Sequence, residues 1–254
     1  MSTPLLQVKQ LTKQFGGFTA LSQVSIDVAS GERFGLIGPN GSGKTTLINC
    51  ISGALRSDGG NIHFDGQDIS TLPAYQRTRR GIARSFQIPK PFASMSVLEN
   101  LIVPLEYVRS SRNGSKSSSS SSNSGGGAGS VQDRAMDILQ QMGLADKART
   151  QSNQLSQVEL RKLELARAMA AKPRLLISDE AMAGLAGNEV DEVLDILFKL
   201  NETGITVIMI EHIMHAVMRF SQRLVCLDAG KIICEGDPKT IVANPDVQRA
   251  YLGA

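Results

Sequence analysis

The amino-acid sequence predicts an α/β fold: a parallel-sheet core, an additional antiparallel β layer and an inserted helical region. Three observations carry this expectation. "GITVIMIEH" is a continuous apolar run, as a strand buried on both faces requires, "RLLISDE" is a strand-like apolar run ending in two acids, and helix-periodic segments separate such runs. The start of the chain instead alternates apolar and polar residues between glycine-containing turns. From residue 88 onward, capping patterns and helical spacing take over.

Taken in order, "LLQVKQL", "QVSIDV" and "ERFGLIG" read as strands, and "GNIHFDGQDI" as a short one closed by Asp-Gly. Thr45 to Ile51 is helical. In "PKPFASMSVLENL", Ser96 is a helix N-cap and Glu99 stands at the reciprocal capping-box position. Residues 109–130, "RSSRNGSKSSSSSSNSGGGAGS", supply no apolar surface to offset ordering entropy, so a flexible loop inserted between two helices is expected there. In "RAMDILQQMGL", Ala135, Ile138, Leu139 and Met142 follow helical spacing and Gly143 is a stop.

"LSQVELRKLELARA" opens on Ser156 as N-cap. Leu160 and Leu163 are assigned to the core, and Glu159, Arg161, Lys162 and Glu164 to solvent. A helix from Asn188 carries Val190, Val193, Leu194 and Leu197 on one face. "RLVCLDAGKIICEGDP" reads as a hairpin and "NPDVQRAYLGA" as a short terminal helix. The expected organisation is one domain over 1–254, with a core from 1–87 and 166–254 and a helical subdomain over 88–165.

With 254 residues, 41% of them hydrophobic, the chain can bury a sizeable core. A net charge of +3, with basic residues spread along the chain, 4% aromatics and no Trp, argues against a nucleic-acid partner. Cys50, Cys226 and Cys234 stand at unrelated spacings and read as small core residues in a reducing compartment. No apolar run approaches the roughly 18–20 residues that cross a bilayer. "MSTPLLQVKQ" lacks the charged and apolar regions of a secretory signal, so a cytosolic location is expected, with docking on a membrane protein left open.

"GPNGSGKT", Gly38 to Thr45, fits G-x-x-x-x-G-K-[ST] between a strand and a helix, the context of a phosphate-binding loop and a P-loop NTPase core. Gly38, Gly41 and Gly43 let backbone N–H groups turn around phosphate oxygens, and the helix N-terminus adds partial positive charge. Lys44 can reach the β- and γ-phosphates, and the Thr45 hydroxyl can ligate Mg²⁺. In "LLISDE", Asp179 and Glu180 close an apolar strand, where open α/β sheets build their sites. Alone, such acids would read as a solvated strand end; beside a phosphate loop, Asp179 suits Mg²⁺ and Glu180 suits an attacking water. His212, after the next strand, can hydrogen-bond a γ-phosphate. Gln87 can ligate Mg²⁺ or hold the water. His63 and His215 read as structural.

In this order the parts resemble an ABC-transporter ATP-binding subunit over nearly the whole chain, and the fold so implied is an ABC nucleotide-binding domain. The resemblance implies that Phe15 in "KQFGGFTAL" stacks on adenine. Gly38, Asn40, Gly41, Ser42, Gly43, Lys44, Thr45 and Thr46 then form the Walker A site for ATP. Gln87 is the Q-loop glutamine, "LLISDE" the Walker B strand with catalytic Glu180, and His212 the switch histidine. "LSQVE", with Ser156, Gln157 and Glu159, falls where the LSGGQ-type signature belongs and implies contact with ATP held by a second ATPase subunit. "FGGFTAL", "ARSFQIPKPFASMSVLEN", "IEHIMHAVM" and "NPDVQRAYLGA" are similar to the ATPases of branched-chain amino-acid importers.

That likeness implies ATP–Mg²⁺ hydrolysis at a head-to-tail dimer interface, homo- or heteromeric. It also implies transmembrane permease subunits docking near Gln87 to Val97, an extracytoplasmic substrate-binding protein, and a place on the cytoplasmic face of the inner membrane. Three positions depart from the pattern. Gln157 and Val158 replace signature glycines, Ala181 replaces a Pro, and Ala186 stands at a usual Asp. None removes a metal ligand or the catalytic acid, so hydrolysis is still expected. A soluble ABC-type ATPase uncoupled from transport and a P-loop small-molecule kinase are the rivals. The first would normally carry two cassettes or a long coiled coil, and the second an acceptor site.

Overall fold

The alternation at the start of the chain folds into an antiparallel hairpin, β1 (Leu6–Phe15) and β2 (Phe18–Val28), turned at Gly16-Gly17. The computed structural model describes residues 3–85, 90–113 and 130–252. It divides into two units, Met1–Gln87 with Pro173–Ala254, and Ile88–Lys172. In the first unit, β1 also pairs with β4 (Gly59–Phe64), and β5 (Gln67–Asp68) closes an antiparallel sheet of order β2-β1-β4-β5.

The second sheet of this unit contains β3 (Arg33–Ile37), β6 (Ile82–Ser85), β7 (Leu175–Asp179), β8 (Thr206–Ile210), β9 (Arg223–Asp228) and β10 (Lys231–Gly236). Its order is β10-β9-β3-β8-β7-β6, parallel except for the β9–β10 hairpin. Every residue of β7 and β8 is buried, which is why these strands read as largely apolar runs. Register places Leu36 and Asp179 both opposite Ile210. Three chain segments therefore leave the sheet side by side at one edge: the glycine loop, Asp179-Glu180 and Glu211-His212.

Helix α1 (Lys44–Ser52) follows the glycine loop. Its far end is held by Arg77 of α2 (Ala74–Arg79), a short helix absent from the sequence reading. Arg77 is 2% exposed. Its Nη1 donates to the carbonyls of Cys50 (2.6 Å) and Ile51 (2.9 Å), its Nε to Leu72 and its Nη2 to Ser70. A cation there complements the negative end of the helix dipole, although burial lowers the Arg77 pKa from its ordinary value. Arg77→Ala removes all four bonds and is expected to destabilise the protein by about 3–5 kcal/mol. Urea unfolding measures this, and a loss under about 1 kcal/mol would refute the assignment.

The remaining helices of this unit are α6 (Gly187–Glu202), α7 (Met214–Phe220), α8 (Pro238–Ala243) and α9 (Pro245–Leu252). Val190, Val193, Leu194 and Leu197 of α6 face the core as spaced. Val217 of α7, Ile241 of α8 and Val247 of α9 join Ile37, Leu224 and Cys226 in one hydrophobic cluster.

The second unit is helical: α3 (Val97–Asn113), α4 (Val131–Gln141) and α5 (Gln157–Met169). Ser96 and Glu99 form the expected capping box, the Ser96 N–H donating to Glu99 at 2.7 Å and the Glu99 N–H to Ser96 Oγ at 3.2 Å. The expected loop at 109–130 needs correction at its start, because α3 continues to Asn113; once nucleated, a helix extends by one bond per residue fixed. Ser130, at its other end, caps α4. Residues 114–129 lie outside the described residues.

Two α5 assignments also change. Arg161 and Glu164, assigned to solvent, are each only 7% exposed. Glu164 accepts from Arg167 Nη1 at 3.0 Å. The same nitrogen donates to the Lys90 carbonyl, and the guanidinium lies 5.4 Å from the Phe92 ring centre, so the Lys90–Phe92 segment covers this charged side. The unit ends at Lys172, whereas the sequence division at 165/166 would cut α5. Cooperative helix hydrogen bonding favours keeping that rod whole.

Candidate functional site

β3 delivers the chain to Gly38, and the loop turns through Gly38 (φ 148°), Gly41 (φ 80°) and Gly43 (φ 107°). A Cβ on Gly38 would lie 2.1 Å from the Leu227 carbonyl oxygen, and one on Gly43 would lie 2.7 Å from that of Ala20. Only glycine fits either place. Gly43 caps α1 without a side chain, leaving the positive helix end facing the loop. Asn40 and Thr45 are exposed and Thr46 is half-buried. The Ser42 hydroxyl is buried and has no hydrogen-bond partner among the described residues.

Lys44 is 6% exposed, and its ammonium donates to the carbonyls of Gly38 (2.6 Å) and Pro39 (2.9 Å). Burial lowers its pKa from the ordinary lysine value, opposed by Glu180 and Asp179 among its neighbours. Two further contacts brace the loop. The Gly230 N–H at the β9–β10 turn donates to the Ser42 carbonyl (2.9 Å), and the Gly38 N–H donates to Tyr251 Oη (2.8 Å).

Asp179 ends β7, and its Oδ2 accepts from Arg84 Nη2 at 2.5 Å while Arg84 Nη1 donates to Asn49 Oδ1 at 2.6 Å. Glu180 follows at φ 48°, a strained value for a glutamate. Its N–H donates to the Ile210 carbonyl. His212 Nε2 lies 2.7 Å from Glu180 Oε1. A carboxylate can only accept, so this nitrogen carries the proton. Between them in the sheet edge lies Glu211, 2% exposed, whose Oε1 accepts the Met182 N–H at 2.9 Å and so pins the turn beyond Glu180.

The structure thus brings Lys44, Asp179, Glu180 and His212 to the glycine loop's edge of one sheet. Phe15 ends β1 in the other sheet, 49% exposed, with Lys13 Nζ 5.4 Å from its ring centre. Asp58 holds that strand end through Lys13 Nζ (2.9 Å) and the Gln14 N–H (2.7 Å). Ser156, Gln157 and Glu159 lie in the second unit, at the start of α5. Ser156 Oγ accepts the Glu159 N–H (3.3 Å), and the Glu159 carboxylate accepts the Ser156 N–H (2.8 Å). Gln87 lies outside the described residues.

Sequence reasoning missed Arg84, Asn49, Glu211 and Tyr251. An acid inside "VIMIEH" was a signal for Glu211; the others had none, since their contacts join distant segments. Cys50 and Cys226 are buried, and burial pushes both thiols up to about 11, as inert core residues require.

The family described as "ABC transporter" matches residues 21–183, and that described as "Branched-chain amino acid ATP-binding cassette transporter" matches residues 231–254. The high-affinity branched-chain amino acid transport ATP-binding protein BraF of Pseudomonas aeruginosa is 36% identical over 254 residues, covering 100% of this chain and 99% of its own. The corresponding LivG protein of Escherichia coli is 38% identical over 255 residues, with the same coverage. Among solved structures, the ADP conformation of an ATP-binding cassette of an ABC transporter superposes with a TM-score of 0.86 at 31% identity, covering 100% of both chains. A dimeric cassette in a post-hydrolysis state with ADP and phosphate gives 0.76 at 26% identity, covering 92% of this chain and 98% of that one.

Proposed function

The chain belongs to the ABC transporter family, and from that premise we propose how its residues serve as the ATP-hydrolysing subunit of an importer for branched-chain or other hydrophobic amino acids. The carrying observation is the Glu180–His212 contact at the sheet edge that also presents the glycine loop. In this reading the loop N–H groups and Lys44 meet the β- and γ-phosphates, and the Ser42 hydroxyl gains the partner it lacks. Phe15 stacks on adenine. Glu180 orients a water and takes its proton, while the His212 N–H holds the carboxylate in place. Catalysis of this kind is chiefly positioning and charge stabilisation.

The site also fits Mg²⁺. Thr45 and Asp179 offer hard oxygen donors, with Gln87 as a further ligand. No cluster of three His, Cys, Asp or Glu side chains able to hold a metal exists among the described residues, which suits an ion that keeps water and phosphate in its shell. Bound there, Mg²⁺ would neutralise charge across the phosphates.

The capped start of α5 makes a second phosphate contact in this reading, with Ser156 and Gln157 directed at ATP on another ATPase subunit. Glu159 supports it through the capping box. The chain is proposed to work as one cassette, a core with a helical subdomain, on the cytoplasmic face of the membrane. No helix among the described residues is long and apolar enough to cross a membrane, so transport needs permease subunits. An extracytoplasmic binding protein completes the proposed system. Nothing in the comparisons supports a soluble ATPase uncoupled from transport.

The test is to assay phosphate release without an acceptor, and to co-express the chain with permease subunits of a branched-chain amino-acid importer. Release, together with recovery in membranes only when the permease is present, is the expected result. Release that required a small-molecule acceptor, or membrane recovery indifferent to the permease, would overturn the reading.

A further inference from the structure

We propose that Tyr251 is a positioning residue of the phosphate loop, making the C-terminal helix a working part of the nucleotide site. The inference rests on the nucleotide reading above and extends it to a segment with no part in that mechanism. Gly38 is where β3 becomes loop, and its backbone is buried in a space with no room for a side chain. A buried N–H needs a partner. The partner here is a phenol 213 positions later in the chain.

The helix that carries the phenol is itself fixed. Asn244 Oδ1 accepts the N–H groups of Asp246 (2.8 Å) and Val247 (3.4 Å), capping α9. Val247 is 3% exposed and packs in the cluster that contains Ile37, the residue before Gly38. One anchor therefore holds the end of β3, and the phenol holds the first residue of the loop. Burial pushes the phenol pKa above its ordinary value, so the hydroxyl is neutral at working pH, accepts from Gly38 and keeps a proton of its own to donate.

Tyr251→Phe keeps the ring and removes only the hydroxyl. Loss of one such hydrogen bond is expected to weaken Mg²⁺–ATP binding about fivefold, equivalent to about 1 kcal/mol, with the effect on KM and not on kcat. Amide exchange in the nucleotide-free protein is expected to quicken at Gly38, and the urea midpoint to stay near the wild-type value. Equal ATP affinity in wild type and variant would overturn the proposal, as would a lower midpoint with unchanged affinity. Unchanged exchange at Gly38 would remove its structural basis without any nucleotide present. If the wild-type chain bound no ATP, the functional reading would fall first and this one with it.

Discussion

Glu180→Gln is expected to lower ATP turnover by about 10²–10⁴-fold while ATP binding persists, because an amide cannot take the proton of the attacking water. The substitution changes little else. Its side-chain oxygen can still accept from His212, and the strained turn is held independently by the Glu180 N–H on Ile210 and by Glu211 on Met182. Single-turnover phosphate release and equilibrium ATP binding separate the two effects. Wild-type turnover in the variant would remove Glu180 from the chemistry.

The second large effect is expected from Ser156→Arg. A long cationic side chain at the start of α5 should block the approach of a second subunit's nucleotide. ATP-driven pairing should be lost and turnover should fall by about 10²-fold or more, the scale of losing a positioned transition-state donor. ATP binding by the separate chain should survive. Ser156→Ala is the control, since it removes the cap seen at 3.3 Å and should cost about 1 kcal/mol of stability. If Ser156→Arg merely matched Ser156→Ala, this segment would be only a capped helix. The outcome also bears on Gln157 and Val158, whose side chains occupy space that glycines leave open.

These predictions could be framed from the sequence because the phosphate loop and the acid pair are local. Residues 38–45 carry their own geometry, since the glycines are needed where φ is positive, and "LLISDE" ends at the edge where its strand ends. The parallel core was legible for a similar reason, as three of five residues in β7 and four of five in β8 are apolar. Short elements were not. α2, β6, α7 and α8 have too few residues for a period to show.

Charged residues were the other failure. Sequence alone places Arg161 and Glu164 in solvent, where such side chains ordinarily stay, and gives no sign that Arg77 is buried. Arg77 is settled by four carbonyls outside its own helix, and Glu164 by the opposite charge of Arg167. Arg84 on Asp179 and Tyr251 on Gly38 are the same kind of fact. A linear reading can recognise a site's reacting groups and still miss what holds them.

The bracing of the glycine loop also sets a schedule for the newborn chain. "GPNGSGKT" leaves the ribosome well before the groups that shape it: the Leu227 carbonyl beside Gly38, the Gly230 N–H on Ser42 and the Tyr251 hydroxyl. β3 itself must wait for β8 and β9 to pair on either side. A nascent chain therefore carries the motif long before it has a place for phosphate. Nucleotide can secure the loop only after Tyr251 has been made, and a protease clipping α9 would strike first at a loop 213 positions earlier in the chain.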